Sequence, residues 1–337
     1  MTELEFRRRF RRLCTLAIAA CYLVILMGGL VRASGAGMGC PDWPKCFGQL
    51  IPPTSESQLP ADYHRIYGER GYADTSFNPM KTWTEYVNRL TGAATGVLVI
   101  WTLLRARVFR RSDPRVFHAS AAALAVIGFQ GWLGSAVVAS NLKPAMITAH
   151  MLMAFVLVLL LIYALARSQQ PDLPRFSRQA LPPRFRAVLA AALAMSVAQI
   201  AMGTQIRQAI DPLIAQELAD RQSWRESFPI IFYVHRSFSS VILLTNLWLV
   251  WKVLAGLRVA HPLRRFAKLL GGLVVAAVAT GVSLDRLGFP AFVQPLHLLL
   301  ANLIFGTQAY LYLLVRYNGV AVDEAKTGEG GWVRVDG

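Results

Sequence analysis

Three histidines lie within long apolar stretches of the sequence, each one to two helical turns from the predicted outer end of its stretch: His150, His235 and His297. Ionisable side chains inside a membrane are costly and usually face the interior of a helix bundle. Imidazole is a common axial ligand of haem iron, and bundles bind cofactors between facing helices. We therefore predict that His235 and His297 supply both axial nitrogens of a bis-histidine haem. The alternative is that these histidines only form hydrogen bonds between helices.

The matching pair in the first half of the chain is incomplete, because Asn88 stands where the second half has His235, with His150 opposite. Asparagine is a poor ligand of haem iron, so this site is expected to be five-coordinate or otherwise ligated. An open coordination position suits chemistry at the iron, whereas a site closed by two histidines suits electron transfer.

One carboxylate accompanies this incomplete pair. Glu85 lies three residues before Asn88 and therefore shares its helix face. It is the only acidic residue inside any predicted span. This placement favours a catalytic or substrate-positioning role. The alternative is a buried ion pair with Arg89 or Arg32.

Four arginines lie at or just inside the predicted outer boundary of the membrane: Arg32, Arg89, Arg207 and Arg236. A guanidinium group binds a carboxylate through two parallel hydrogen bonds, so these residues could pair with haem propionates. The alternative is that their side chains extend to the lipid headgroups.

The four cysteines divide into two pairs. Cys40 and Cys46 lie six residues apart in a predicted outer loop, which faces an oxidising compartment in bacteria, so we predict a disulfide. That disulfide is either a structural link or a redox group that exchanges electrons with a partner thiol. Cys14 and Cys21 lie within the first span and are interpreted as small apolar residues.

The elements that must position these residues are membrane helices. Of the 337 residues, 55% are apolar and 16% charged, against about 25% charged in soluble domains. The net charge of +16 falls in short clusters between apolar runs, which is not the polar basic surface of a nucleic-acid-binding protein. Eight stretches are long enough to span a bilayer: 14–32, 84–104, 116–140, 145–166, 187–206, 229–251, 266–284 and 291–315.

Basic residues in short loops predict the orientation of these spans. Five Lys or Arg residues occur in the N-terminal segment, and five in each of the segments 105–115, 167–186 and 252–268. Such clusters are typical of cytoplasmic segments. Both termini are therefore predicted to be cytoplasmic, and four loops to face outward: 33–83, 141–144, 207–228 and 285–290.

The two halves of the chain resemble each other. Asn88 and His235 are 147 residues apart, and so are His150 and His297. Because each half has an even number of spans, we predict two four-helix halves related by a pseudo-twofold axis along the membrane normal. The predicted units are the N-terminal half 12–168 with its outer loop 33–83, the cytoplasmic linker 169–183, the C-terminal half 184–316 and the cytoplasmic tail 317–337.

Several motifs together are similar to those of a known family. They are Gly28-Gly29-Leu30-Val31-Arg32 followed by Gly39-Cys40-Pro41-Asp42-Trp43-Pro44 and Cys46, then Glu85-x-x-Asn88-Arg89, the single histidine of the fourth span, His235-Arg236, and Gln294-Pro295-Leu296-His297. From about residue 12 to 315 the chain resembles the heme A synthase family.

The resemblance implies an eight-helix bundle in the bacterial cytoplasmic membrane, with haem b between His235 and His297. It implies that the N-terminal half binds the substrate haem O and oxidises its C8 methyl group, by successive hydroxylations, to the formyl group of haem A. In this family the glutamate matched by Glu85 is implicated in catalysis. The cysteine pair matched by Cys40 and Cys46 is linked to electron delivery or substrate transfer.

The sequence departs from the pattern of this family at Asn88, where the family commonly has histidine. This leaves His150 as the ligand of the substrate haem, with His64 of the outer loop as a hypothetical replacement. We interpret the loop 47–83 as a lid over that site. The expected partner is the membrane farnesyltransferase that produces haem O; the electron donor and a homo-oligomeric state stay open. The alternative functions are a haem-containing electron-transfer protein and a haem-binding carrier without turnover.

Overall fold

The computed structural model describes residues 3–215 and 228–320, and for 211–215 it describes the backbone alone. Its helices are α1 Glu3–Ala33, α2 Tyr63–Ile66, α3 Pro79–Ala106, α4 Pro114–Ala139, α5 Pro144–Gln169, α6 Phe185–Ala215, α7 Ile230–Gly256, α8 Pro262–Arg286 and α9 Val293–Asn318. Within these residues, eight helices are long and apolar enough to cross a membrane, all except α2. The predicted all-α polytopic membrane fold is therefore confirmed. Parts of two predicted segments, the outer loop 207–228 and the tail 317–337, lie outside the described residues.

Proline sets the first residue of four spans, α3, α4, α5 and α8. Its fixed φ suits the first helical turn, where its missing N–H would have no partner. Asn78 completes the start of α3, because its side-chain oxygen accepts a hydrogen bond from the Lys81 backbone N–H at 3.1 Å. The starts of these helices are thus fixed by local sequence.

The helices extend beyond the predicted spans, which were bounded by apolar residues alone. Helix α1 begins at Glu3 instead of 14, where an ion pair of 2.8 Å joins Glu3 to Arg7 one turn later. Helix α8 continues to Arg286 and so includes Asp285, which was expected in the outer loop. The observed helices therefore contain acidic residues besides Glu85, whereas Glu85 is the only one within the shorter predicted spans.

The spans pack as two neighbouring groups. Helices α1, α3, α4 and α5 contact one another in a ring, and α6, α7, α8 and α9 do the same. The groups meet where α9 packs against α1 and α5. In the apolar 18-residue stretch of α9, 56% of the residues are buried inside the protein, against 17–28% in the other spans. Helix α9 is therefore the central helix of the described structure; the pseudo-twofold relation and membrane orientation stay predictions.

A buried polar network joins three helices of the second group. Ser196 of α6 donates to Gln308 Oε1 of α9 at 2.9 Å, and Gln308 Nε2 donates to Asn246 Oδ1 of α7 at 2.8 Å. The residues 147 positions before Asn246 and Gln308 are Val99 and Leu161. Both are fully buried in the apolar core of the first group. The two groups therefore have different core chemistry at matching positions.

The predicted linker 169–183 packs on the helix ends. Its strand β1, Phe176–Ser177, pairs in parallel with β2, Gly319–Val320, directly after α9. Arg178 Nε also donates to the Gly319 carbonyl at 3.0 Å. The linker therefore ties the junction of the two groups to the end of the central helix.

The buried network gives a test of packing. Gln308→Leu leaves the hydroxyl of Ser196 and the amide oxygen of Asn246 without their partner, so we expect a loss of about 1–2 kcal/mol of stability. The measurement is the thermal unfolding midpoint of the purified protein in detergent. Thr307→Val is the control, since its hydroxyl donates to Leu303 within α9. Equal midpoints for the two variants would show that the network does not stabilise the fold.

Candidate functional site

The outer loop between α1 and α3 has a small core of its own. Phe47 lies at its centre, and four aromatic rings meet it edge to face at centroid distances of 5.1–6.5 Å. They are Tyr63, Tyr67, Tyr72 and Phe77. Such aromatic pairs add stability beyond the area that they bury. The loop is therefore a folded cap over the helices, and the predicted role as a lid stays a prediction.

The disulfide predicted between Cys40 and Cys46 is present, and both residues are fully buried. Asp42 holds the turn that follows, because its carboxylate accepts backbone hydrogen bonds from Phe47 at 2.6 Å and Gly48 at 2.8 Å. Phe47 has φ +52°, a conformation that is uncommon for residues other than glycine. The Asp42 carboxylate thus offsets the backbone strain at the end of the disulfide segment.

The disulfide segment docks closely on the first turn of α3. A Cβ atom at Gly39 would lie 2.4 Å from the Lys81 carbonyl oxygen, so only glycine fits there. Thr82 Oγ1 donates to the Gly39 carbonyl at 2.8 Å. Tyr72 donates to the Met38 carbonyl at 2.9 Å, and burial together with the Glu85 carboxylate raises the pKa of Tyr72, which keeps this donor protonated.

Glu85 and Arg89 of α3 bind the backbone of the disulfide segment. The two side chains pair at 2.5 Å, and Glu85 Oε2 accepts the Cys40 backbone N–H at 2.8 Å. Arg89 donates to the carbonyls of Cys40, Asp42 and Lys45 at 2.7–3.0 Å. Glu85 is only 3% exposed. The ion pair was the alternative interpretation of Glu85; the backbone of the disulfide segment is a partner that sequence reasoning missed.

The two histidines proposed to share one haem belong to the second group of helices, His235 on α7 and His297 on α9. Each ring packs on a glycine of a neighbouring helix. A Cβ atom at Gly203 would lie 3.5 Å from His235 Cε1, and one at Gly281 would lie 3.3 Å from His297 Cε1. Both imidazoles therefore lie directly against a glycine of the next helix.

His150 of α5 has a matching contact in the first group. A Cβ atom at Gly134 of α4 would lie 3.4 Å from His150 Cε1. Gln130 Nε2 donates to the His150 carbonyl at 2.9 Å. His150 Nδ1 and Asn88 Oδ1 are both buried, and neither has a hydrogen-bond partner among the described residues. Because buried polar atoms in proteins are usually paired, the Asn88 oxygen points to a group that the protein binds here.

The donor set suits haem rather than a bare metal ion. In the part of the chain that the structure describes, no three His, Cys, Asp or Glu residues cluster as metal ligands. A porphyrin supplies four of the iron's nitrogen ligands itself, so haem needs only one or two from the protein. One histidine in the first group and two in the second meet that need.

His64, Arg207 and Arg236 each contact other residues of the protein. His64 Nδ1 pairs with the Tyr72 carbonyl at 2.7 Å, so this side chain is held within the outer loop. Arg207 donates to the Arg32 carbonyl at 3.4 Å, and Arg236 lies 3.7 Å from Asp285. Their pairing with haem propionates, like the catalytic role of Glu85, stays a prediction. Across residues 3–215 and 228–320, no hydrogen bond or ion pair joins Glu85 to His150.

Comparison with known proteins covers most of the chain. The family COX15-CtaA, described as cytochrome oxidase assembly protein, matches residues 11–309. A protein of Alkalihalophilus pseudofirmus named Heme A synthase is 26% identical over 309 residues, which cover 87% of this chain and 93% of the relative. One of the same name from Halalkalibacterium halodurans is 24% identical over 321 residues, covering 90% and 96%. The Heme A synthase of Shewanella oneidensis is 34% identical over 165 residues, about half of each chain at 48% and 47%.

The contacts of Arg89 give a test of the outer loop. Arg89→Ala removes the hydrogen bonds that hold the disulfide segment on α3, so dithiothreitol should reduce the Cys40–Cys46 disulfide roughly tenfold faster. The measurement is the rate at which maleimide traps the released thiols.

Arg65→Ala is the matched control in the same loop, since it removes only an exposed ion pair with Asp62. We expect this variant to react like the wild type. If Arg89→Ala also reacts at the wild-type rate, Arg89 does not hold the loop.

Proposed function

The chain belongs to the COX15-CtaA family of cytochrome oxidase assembly proteins, and from this premise we propose that it is a membrane oxidoreductase of the heme A synthase type. It oxidises the C8 methyl group of haem O to the formyl group of haem A, which terminal oxidases require. The observation that carries the proposal is the repeated packing of histidine on glycine, complete with two histidines in one half and incomplete in the other.

In the C-terminal half, His235 and His297 hold haem b. When bound, haem b supplies one-electron transfer. Support comes from the place of both histidines in one group of four helices and from the matching contacts of their rings with Gly203 and Gly281. Arg207 and Arg236 are proposed to bind the haem propionates at the outer edge. The Arg236 side chain can exchange Asp285 for a propionate, because this ion pair is long and the side chain is exposed.

In the N-terminal half, His150 binds the substrate haem O. Asn88, at the position matching His235, leaves the opposite side without a strong ligand, so one axial position stays open to reactants. Support comes from the buried Oδ1 of Asn88, which has no partner within the described residues, and from the packing of His150 on Gly134. Arg32 and Arg89 are proposed to contact the propionates from the outer side.

Glu85 lies one helical turn from Asn88 on the outer side, where it could position the substrate or hold a proton during oxidation. Its carboxylate is already bound to Arg89 and to the backbone of Cys40. Any movement of the disulfide segment therefore changes the contacts of this carboxylate. We propose that the Cys40–Cys46 segment acts in electron delivery or substrate transfer through this connection.

The setting of the reaction follows from the same proposal. The bacterial cytoplasmic membrane is the proposed location, with both haem sites toward its outer face. A membrane farnesyltransferase would supply haem O.

The second candidate function is a haem-containing electron-transfer protein or carrier. It is favoured by one observation, namely that both oxygens of Glu85 are engaged in structural contacts.

The ligands of haem b can be tested directly. His235→Ala and His297→Ala each remove one of the two axial nitrogens, so the purified variants should lose the six-coordinate haem b absorption spectrum. His118→Ala is the control. This histidine lies near the start of α4, in the other group of helices, so its loss should leave the spectrum unchanged. Retention of the spectrum in both variants would overturn the ligand assignment.

Turnover is tested by haem extraction from cells that also contain a haem O source. The wild type should yield haem A. Glu85→Gln should keep haem b but lower haem A formation about a hundredfold or more, the effect expected for loss of a general acid or base. An active Glu85→Gln variant would remove its catalytic role. Absence of haem A from wild-type cells would instead favour the electron-transfer protein or carrier.

A further inference from the structure

One hydroxyl group contacts a proposed haem ligand. Thr280 Oγ1 of α8 lies 2.9 Å from His297 Nδ1, and also 3.0 and 2.9 Å from the carbonyl oxygens of Ala276 and Ala277. The direction of the contact between Oγ1 and Nδ1 depends on the tautomer of His297. When Nε2 binds iron, the proton of the neutral imidazole lies on Nδ1, which then donates to Oγ1, and the Thr280 hydroxyl donates to its own helix.

The matching histidine of the first half lacks this contact. Gly134 and Gly281 are 147 residues apart, the same separation as His150 and His297, and each glycine packs on the Cε1 atom of its histidine. The residue before Gly281 is Thr280, whereas the residue before Gly134 is Leu133. A leucine side chain cannot accept a hydrogen bond. Accordingly, His150 Nδ1 has no partner in the described part of the chain.

We propose that Thr280 is a positioning residue for His297, and that Leu133 at the matching place makes His150 the weaker ligand. The inference rests on the proposed function, in which these histidines bind haem. An acceptor at the second ring nitrogen orients a ligating histidine and raises its basicity, and loss of such a partner typically lowers affinity by about 10–100-fold.

This difference separates the two sites by exchange rate. In the half that holds resident haem b, Thr280 orients His297, whereas Nδ1 of His235 has no partner among the described residues. The half that must take up haem O and release haem A has the ligand without support. The same packing of histidine on glycine thus gives one site that retains its haem and one site that releases it.

The test uses the full-length protein with its haem. Thr280→Val removes the hydroxyl with little change of shape, Thr280→Ser keeps the hydroxyl, and Ser283→Ala on the same helix is a control whose hydroxyl donates to Ala279. The readouts are the rate of haem b transfer to apomyoglobin and the midpoint potential. For Thr280→Val we expect transfer about tenfold faster and a more positive potential, because a less basic imidazole stabilises ferric iron less. The other two variants should match the wild type.

The outcomes distinguish this inference from the proposed function. If the wild type contains six-coordinate haem b but Thr280→Val matches Ser283→Ala in both readouts, the role of Thr280 is wrong and the haem assignment stands. If the wild type contains no six-coordinate haem b, both fail. Leu133→Thr, made together with His235→Ala so that the first site is followed alone, should slow haem transfer from the His150 site. An unchanged rate would overturn the role of Leu133.

Discussion

The cost of an unpaired polar group in hydrocarbon governs this structure. Water is absent from the bilayer interior, so each buried donor, acceptor or charge must find its partner within the protein. Glu85 satisfies this condition with Arg89 and a backbone N–H, and Gln308 satisfies it through Asn246 and Ser196. The same condition makes exceptions informative. Asn88 and His150 carry buried polar atoms without partners in the described structure, at the place where the sequence predicts the substrate.

Much of the fold follows from the sequence, for physical reasons that are local. Apolar length gives the spans, and proline gives the starts of α3, α4, α5 and α8. The exact extent of α1 could not be predicted from hydropathy, because its polar N-terminal turns are stabilised by charge pairs such as Glu3 with Arg7. The docking of Gly39 on Lys81 could not be predicted either, since it joins segments that no periodic pattern relates.

The site was predictable where spacing carries the information. The 147-residue offset identifies His150 and His297 from sequence, and the spacing of Glu85 and Arg89 indicates their ion pair. Thr280 was missed, although the signal was present. Applied to Gly134 and Gly281, the same offset also pairs Leu133 with Thr280. What sequence alone lacked was the contact that gives this difference a meaning, a hydroxyl 2.9 Å from an imidazole nitrogen.

The central place of α9 has a consequence for biosynthesis. Chains fold from the N-terminus as they are made, and α9 follows every other described span in the sequence. The surfaces of α1 and α5 that pack on α9 therefore face lipid or an insertion chaperone until the final span enters the membrane. Because α9 also carries His297, a ribosome that stalls before this span leaves a chain that lacks both its central helix and a proposed haem ligand. Haem loading would then report that translation of the last span is complete.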